Sequence, residues 1–186
     1  AEAEPAAELE PSAEPEPAAK ADLGNDIDMD GFKVGNKVKV TVFEASGLIP
    51  ADPTMVSDPY VVVKLGSQTN TTTVKKATLA PVWRETCYFD IQDLKETSVK
   101  FEVFDHDSKN SNDALGNSTF AIDHLMLTKR EKATLTLQGC KKAEDTLQRA
   151  KSNFKGSFKV ENKSPYGKLK IQVELVSPAA QSPSGQ

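Results

Sequence analysis

The sequence predicts an all-β fold: an eight-stranded antiparallel sandwich with one short helix in the segment before the last strand. Three observations predict it. Apolar residues recur with a period of two over short runs. Turn-forming residues separate those runs. Only one segment carries helical spacing. In order, Val38, Val40 and Val42 alternate with Lys37, Lys39 and Thr41. Tyr60–Leu65 is a mostly β-branched run that stops at Gly66, and Thr71–Val74 is a shorter candidate. In Glu85–Ile91, residues Cys87, Phe89 and Ile91 share one face, which predicts a buried thiol at Cys87. Val99, Phe101 and Val103 repeat the pattern, as do Ser118–Ile122, Ala133–Leu137 and Lys168–Val176. The helix is expected over Lys141–Ser152, where Ala143, Leu147 and Ala150 return at nearly one-turn spacing.

The chain has 186 residues, enough for one domain with tails. Residues 1–30 are acidic and rich in Ala, Glu and Pro, and read as a disordered tail or linker; 31–176 form the folded domain; 177–186 form a second disordered tail. Charged residues make up 27% and mean hydropathy is −0.46, which predicts a soluble chain. No apolar run approaches the roughly 20 residues of a membrane helix. Two Cys supply neither a disulfide framework nor a zinc site, and two distant His argue against a His-based catalytic centre. The net charge of −4 is segregated: residues 1–20 carry −5, whereas Lys129–Lys170 carries +8.

Two segments between strands are rich in Asp. The first, Ile49-Pro-Ala-Asp-Pro-Thr-Met-Val-Ser-Asp-Pro-Tyr60, holds Asp52 and Asp58. The second, Asp105-His-Asp-Ser-Lys-Asn-Ser-Asn-Asp113, holds Asp105, Asp107 and Asp113. Loops at one end of a sandwich converge even when distant in sequence. Five ionised carboxylates in one bowl repel one another. A hard divalent cation relieves that repulsion, and oxygen-only ligands on flexible loops favour Ca²⁺. Any one of these Asp taken alone reads more readily as a turn residue; the five together carry the metal reading.

The stretches Val40-Thr-Val-Phe-Glu-Ala-Ser-Gly-Leu48, Ser57-Asp-Pro-Tyr-Val61, Ala80-Pro-Val-Trp-Arg-Glu85, Val103-Phe-Asp-His-Asp107 and Asp113-Ala-Leu-Gly116 resemble a C2 domain. That family is the Ca²⁺-dependent phospholipid-binding module of protein kinase C and the synaptotagmins. The resemblance covers roughly 37–127 and the final strand. It implies a C2-type sandwich and assigns the family's Ca²⁺ ligands to Asp52, Asp58, Asp105, Asp107 and Asp113, with two or more ions bound. Ala80, Arg84 and Cys87 depart from common family residues, and Gln138–Pro165 is longer than the usual link to the last strand. Because the strand Lys168–Val176 comes last, the permuted, type II topology is expected. The alternative is an extra first strand at Phe32–Val34.

The expected function is Ca²⁺-dependent docking on anionic phospholipid membranes, in trafficking or signalling. Met55 and Val56 lie between the first two Asp and would enter the bilayer interface; Lys109 would meet a headgroup. Lys64, Lys75 and Lys76 are candidate phosphoinositide or anionic-lipid contacts, or simply solvated surface. Lys129–Lys170 could face anionic lipid or an acidic protein partner. No aromatic stacking platform or nucleic-acid motif is present, so nucleic acid is not expected. No nucleophile–base pair or phosphate-cradling loop is visible, so the chain reads as non-enzymatic. A monomer is expected, cytoplasmic and peripheral to the membrane when Ca²⁺ is bound. Competing readings are a C2-type protein-interaction scaffold and the targeting domain of a larger Ca²⁺-regulated enzyme. Asp26-Ile-Asp-Met-Asp-Gly31 imitates half an EF-hand loop, but Lys37 stands where a bidentate Glu is needed.

Overall fold

The computed structural model describes residues 34–107, 111–123, 125–153 and 165–177. The expectations for residues 1–30, for the Asp26–Gly31 half-loop, for Phe32 and Lys33 and for most of 177–186 therefore lie outside the described residues. Eight strands form two four-stranded antiparallel sheets. In one, β1 (Lys37–Ser46) lies between β4 (Val82–Asp90) and β8 (Lys168–Val176), and β7 (Arg130–Thr136) flanks β8. In the other, the order is β3 (Gln68–Thr71), β2 (Pro59–Leu65), β5 (Ser98–Asp105), β6 (Asp113–Ala121). Among the described residues two helices accompany them: α1 (Leu125–Thr128), which the periodicity did not predict, and α2 (Lys141–Asn153), which matches the expected helix within a residue.

The core is the inward half of each alternation. Val38, Val40 and Val42 face Val61, Val63, Phe101 and Val103 across the sandwich, joined by Leu169, Ile171 and Val173, all buried. The period breaks once in β1. Continued unchanged, it would turn Glu44 into the core. A bulge at Phe43 shifts the register instead, so that Ala45 is buried and Glu44 pairs with Lys170 at 3.3 Å.

β3 corrects the sequence reading. The Thr71–Val74 candidate is displaced to Gln68–Thr71, because the two-residue turn Gly66-Ser67 places Gln68 opposite Leu65. Gly66 has φ +54°, as such hairpin turns require. Beyond Thr71 the regular ladder ends: Thr72 N and Lys75 N still donate to Val61 O and Pro59 O at 2.9 and 3.0 Å, and side chains supply the bonds between them. The Thr72 hydroxyl accepts the Val61 N–H at 2.9 Å, and Thr73 N donates to Glu85 at 2.8 Å. Trp83, buried in the core, donates from Nε1 to Thr73 O at 2.8 Å.

β6 also departs from expectation. It starts at Asp113 rather than Ser118, because Asp113 already pairs with Asp105. α2 packs its buried Ala143, Thr146, Leu147 and Ala150 against β6. The helix is thereby brought to the side of the sandwich that carries Asp113.

Candidate metal centre

Strand register brings the two Asp-rich segments together. The last residue of β5, Asp105, pairs with Pro59 on one side and with Asp113 on the other. Asp58 precedes Pro59 directly, so three of the five aspartates sit at one end of three adjacent strands. The segments are also tied to each other: Asp58 N donates to the Asp105 carboxylate, and His106 N donates to Asp58 O at 3.0 Å.

The first segment closes on itself. Asp52 N donates to Val56 O at 3.0 Å and Met55 N to Asp52 O at 3.1 Å. Buried Ser57 staples it, donating to Ile49 O at 2.9 Å and accepting from Ala51 N at 3.0 Å. In the second segment, Asp107 N donates to Asn112 Oδ1 at 3.1 Å, and Asn112 Nδ2 donates to the Tyr60 hydroxyl at 2.7 Å.

One carboxylate oxygen from each of Asp52, Asp105 and Asp107 lies within 4.8 Å of the others. Asp105 is 1% exposed, and burial pushes its carboxyl up to about 6, with Asp52, Asp107 and Asp58 adding to the rise against the Asp58 N–H bond. Asp52 is also raised, first by burial and then by Asp58, Asp107 and Asp113, while Lys76 opposes. A buried carboxylate at the end of β5 beside loop carboxylates, all of them oxygen ligands, fits a hard divalent cation such as Ca²⁺.

The other two aspartates are held by cations. Asp58 accepts Lys76 Nζ and Ala77 N, each at 2.7 Å. Burial pushes its carboxyl up, yet those bonds outweigh it and Asp58 lies below the usual range. Asp113 accepts Arg149 Nη2 at 2.6 Å. The bond to Asp113 raises the Arg149 guanidinium pKa further above its ordinary value.

The remaining candidates fall as follows. Met55 forms the tip of the first segment, 40% exposed with φ +64°, whereas Val56 is half-buried. Lys109 lies outside the described residues. Each of the three candidate lipid lysines has an acidic partner: Lys64 with Glu102 at 2.6 Å, Lys75 with Glu85 at 3.7 Å, Lys76 with Asp58. Sequence reasoning missed Ser57, Asn112 and Arg149. Ser57 sat in a quoted motif, next to Asp58. Nothing local could link Arg149 to Asp113, 36 positions earlier.

The C2 domain family profile matches residues 36–137, more than half the chain. The chain belongs to the C2 domain family. C2 domains are modules that typically bind membranes. Protein kinase C, eye isozyme, of Drosophila melanogaster is 35% identical over 97 residues, covering 49% of this chain and 14% of the kinase. This C2 chain thus spans about one seventh of that relative. Among solved structures, a C2 domain of plant extended synaptotagmin 1 superposes with a TM-score of 0.60 at 22% identity, covering 78% of this chain and 98% of that one. A calcium-bound structure of two C2 domains of extended synaptotagmin 2 gives 0.58 at 20% identity, covering 78% of this chain and 47% of that one. These likenesses establish the C2 fold. No described helix of this C2 domain is long and apolar enough to cross a membrane.

Proposed function

We propose that this C2 domain docks on anionic phospholipid membranes in a Ca²⁺-dependent manner. Asp52, Asp58, Asp105, Asp107 and Asp113 would hold the ion. The observation that carries the reading is the approach of the Asp52, Asp105 and Asp107 oxygens to within 4.8 Å around a buried carboxylate. Bound Ca²⁺ would supply positive charge against these carboxylates and a centre that accepts lipid phosphate oxygens. The protein's own residues do the rest. The ladder pairs hold the acidic rim in place, and the Asp cluster by itself repels an anionic surface. Met55 offers an exposed apolar tip, whose burial in the interface contributes about 0.8 kcal/mol per CH₂.

The family match supports this reading, and the relation to a calcium-bound C2 structure is consistent with it. We assign the strand order, with β8 last in sequence and inside its sheet, to type II topology. We further propose that the domain is non-enzymatic and associates peripherally with membranes. Lys64, Lys75 and Lys76 are secondary in this reading, since each is already paired with an acid.

Sedimentation with phosphatidylserine-containing vesicles tests it. The wild-type domain pellets with vesicles in Ca²⁺ and stays in the supernatant with chelator. The double variant Asp105→Asn, Asp107→Asn stays in the supernatant in both while keeping a folded circular-dichroism spectrum. Equal pelleting of the folded variant in Ca²⁺ would falsify the assignment.

A further inference from the structure

Arg149 belongs to α2, in the long segment between β7 and β8, yet its guanidinium reaches one of the five rim carboxylates. Nη2 lies 2.6 Å from Asp113 Oδ1. The arm is held from both sides. Nη2 also lies 3.3 Å from the Thr146 hydroxyl, one turn back on the same helix. That hydroxyl donates to Lys142 O at 3.0 Å, and Thr146 is buried. Ala143, Leu147 and Ala150 seat the same helix face against β6, the strand that begins at Asp113. The depth at which α2 docks therefore sets how far Arg149 reaches. Besides Asp113, Arg149 feels the negative charges of Asp107 and Asp145.

We propose that Arg149 is a tethered cation that competes with the divalent ion for Asp113, so that α2 responds to occupancy of the rim. The proposal rests on the Ca²⁺ reading of the site. A carboxylate oxygen that accepts a guanidinium at 2.6 Å must give up or share that bond to ligate an ion. Two cations at one carboxylate also repel each other. Linkage then acts in both directions: the docked arm weakens ion binding, and the ion loosens the arm by the same factor. Lys76 on Asp58 is a similar pair, but it belongs to the connection between β3 and β4. Among the described residues, Arg149 is the cation that ties the rim to the helix.

Calorimetric Ca²⁺ titration of the whole chain, without lipid, provides the first readout. Arg149→Gln tightens Ca²⁺ binding roughly two- to fivefold, the range set by a partly exposed ion pair. Arg149→Lys keeps the charge and returns affinity towards wild type, which a merely structural role would not require. Nuclear magnetic resonance provides the second. In the wild type, Ca²⁺ shifts the Arg149 Nε–Hε signal and the α2 amides along with those of the two Asp segments. Equal Ca²⁺ affinity in wild type and Arg149→Gln, or an α2 indifferent to an ion that does bind, overturns the competition and leaves the membrane-docking reading standing. Absence of any Ca²⁺ binding by the wild type overturns both.

Discussion

Asp105 shows how one side chain can be a stability liability and a candidate ligand at once. It closes β5 by ladder pairing, so its carboxylate cannot retreat into solvent. Burial and three neighbouring carboxylates push its pKa up to about 6, from 3.8. Between those values the folded chain holds a proton that the unfolded chain has released. In chelator, stability therefore falls as pH rises from about 4 through 6 and levels off above that, on the order of 2 kcal/mol after allowance for solvent screening. Asp52 adds to the same trend. Asp58, with its lowered pKa, acts oppositely at more acidic pH. Urea unfolding at pH 5 and pH 7 measures the change, and Asp105→Asn flattens it. A wild-type midpoint higher at pH 7 than at pH 5 would contradict the assignment. Position 105 is identifiable as a candidate ligand because its Asp sits in a recognisable Phe-Asp-His-Asp stretch. Its burial is not, because that comes from β2 and β6 on either side.

Among the elements, β8 is the easiest strand to read. Leu169, Ile171, Val173 and Leu175 are all buried in the structure, as their alternation required. β3 is harder, because the regular ladder of the Thr71–Val74 candidate ends at Thr71: Thr72 N still donates to Val61 O, but a hydroxyl satisfies Val61 N and a carboxylate satisfies Thr73 N. The entry to β8 depends on backbone conformation alone. Gly167 has φ +86°, and a Cβ there would meet Ser46 O at 2.4 Å, a backbone atom that cannot move aside cheaply. Gly167→Ala therefore destabilises by more than about 1 kcal/mol, through positive φ and the clash together. Thermal unfolding checks it, and a midpoint within one degree of wild type would show that the turn adapts.

Across the whole molecule, the family match ends at residue 137, but the sandwich does not. β8 lies between β1 and β7, with a full ladder to each. A chain of residues 36–137 lacks that central strand and uncovers the inner edge of β1 and the core face around Val38, Val40 and Val42. It is expected to be unfolded or aggregated, whereas residues 34–177 unfold cooperatively. Circular dichroism and chemical denaturation of the two chains decide between these outcomes. Tertiary pairing also redistributes the charge segregation seen along the chain. Arg130 pairs with Glu174, Lys170 with Glu44 and Arg149 with Asp113, so part of the basic segment faces acids contributed from elsewhere.

Composition, period-two alternation and the five Asp were sufficient to identify a β-sandwich, most of its strands and the chemistry of its acidic segments. Those are local properties: a strand shows its inward face through its own neighbours, and a carboxylate is an oxygen donor wherever it lies. Only the tertiary structure decided which oxygens share a rim, that Asp105 is buried, and that Lys76 and Arg149 already hold two of the five aspartates. Such facts depend on ladder register and on how a helix docks, and these are set by the packing of residues far apart in the chain.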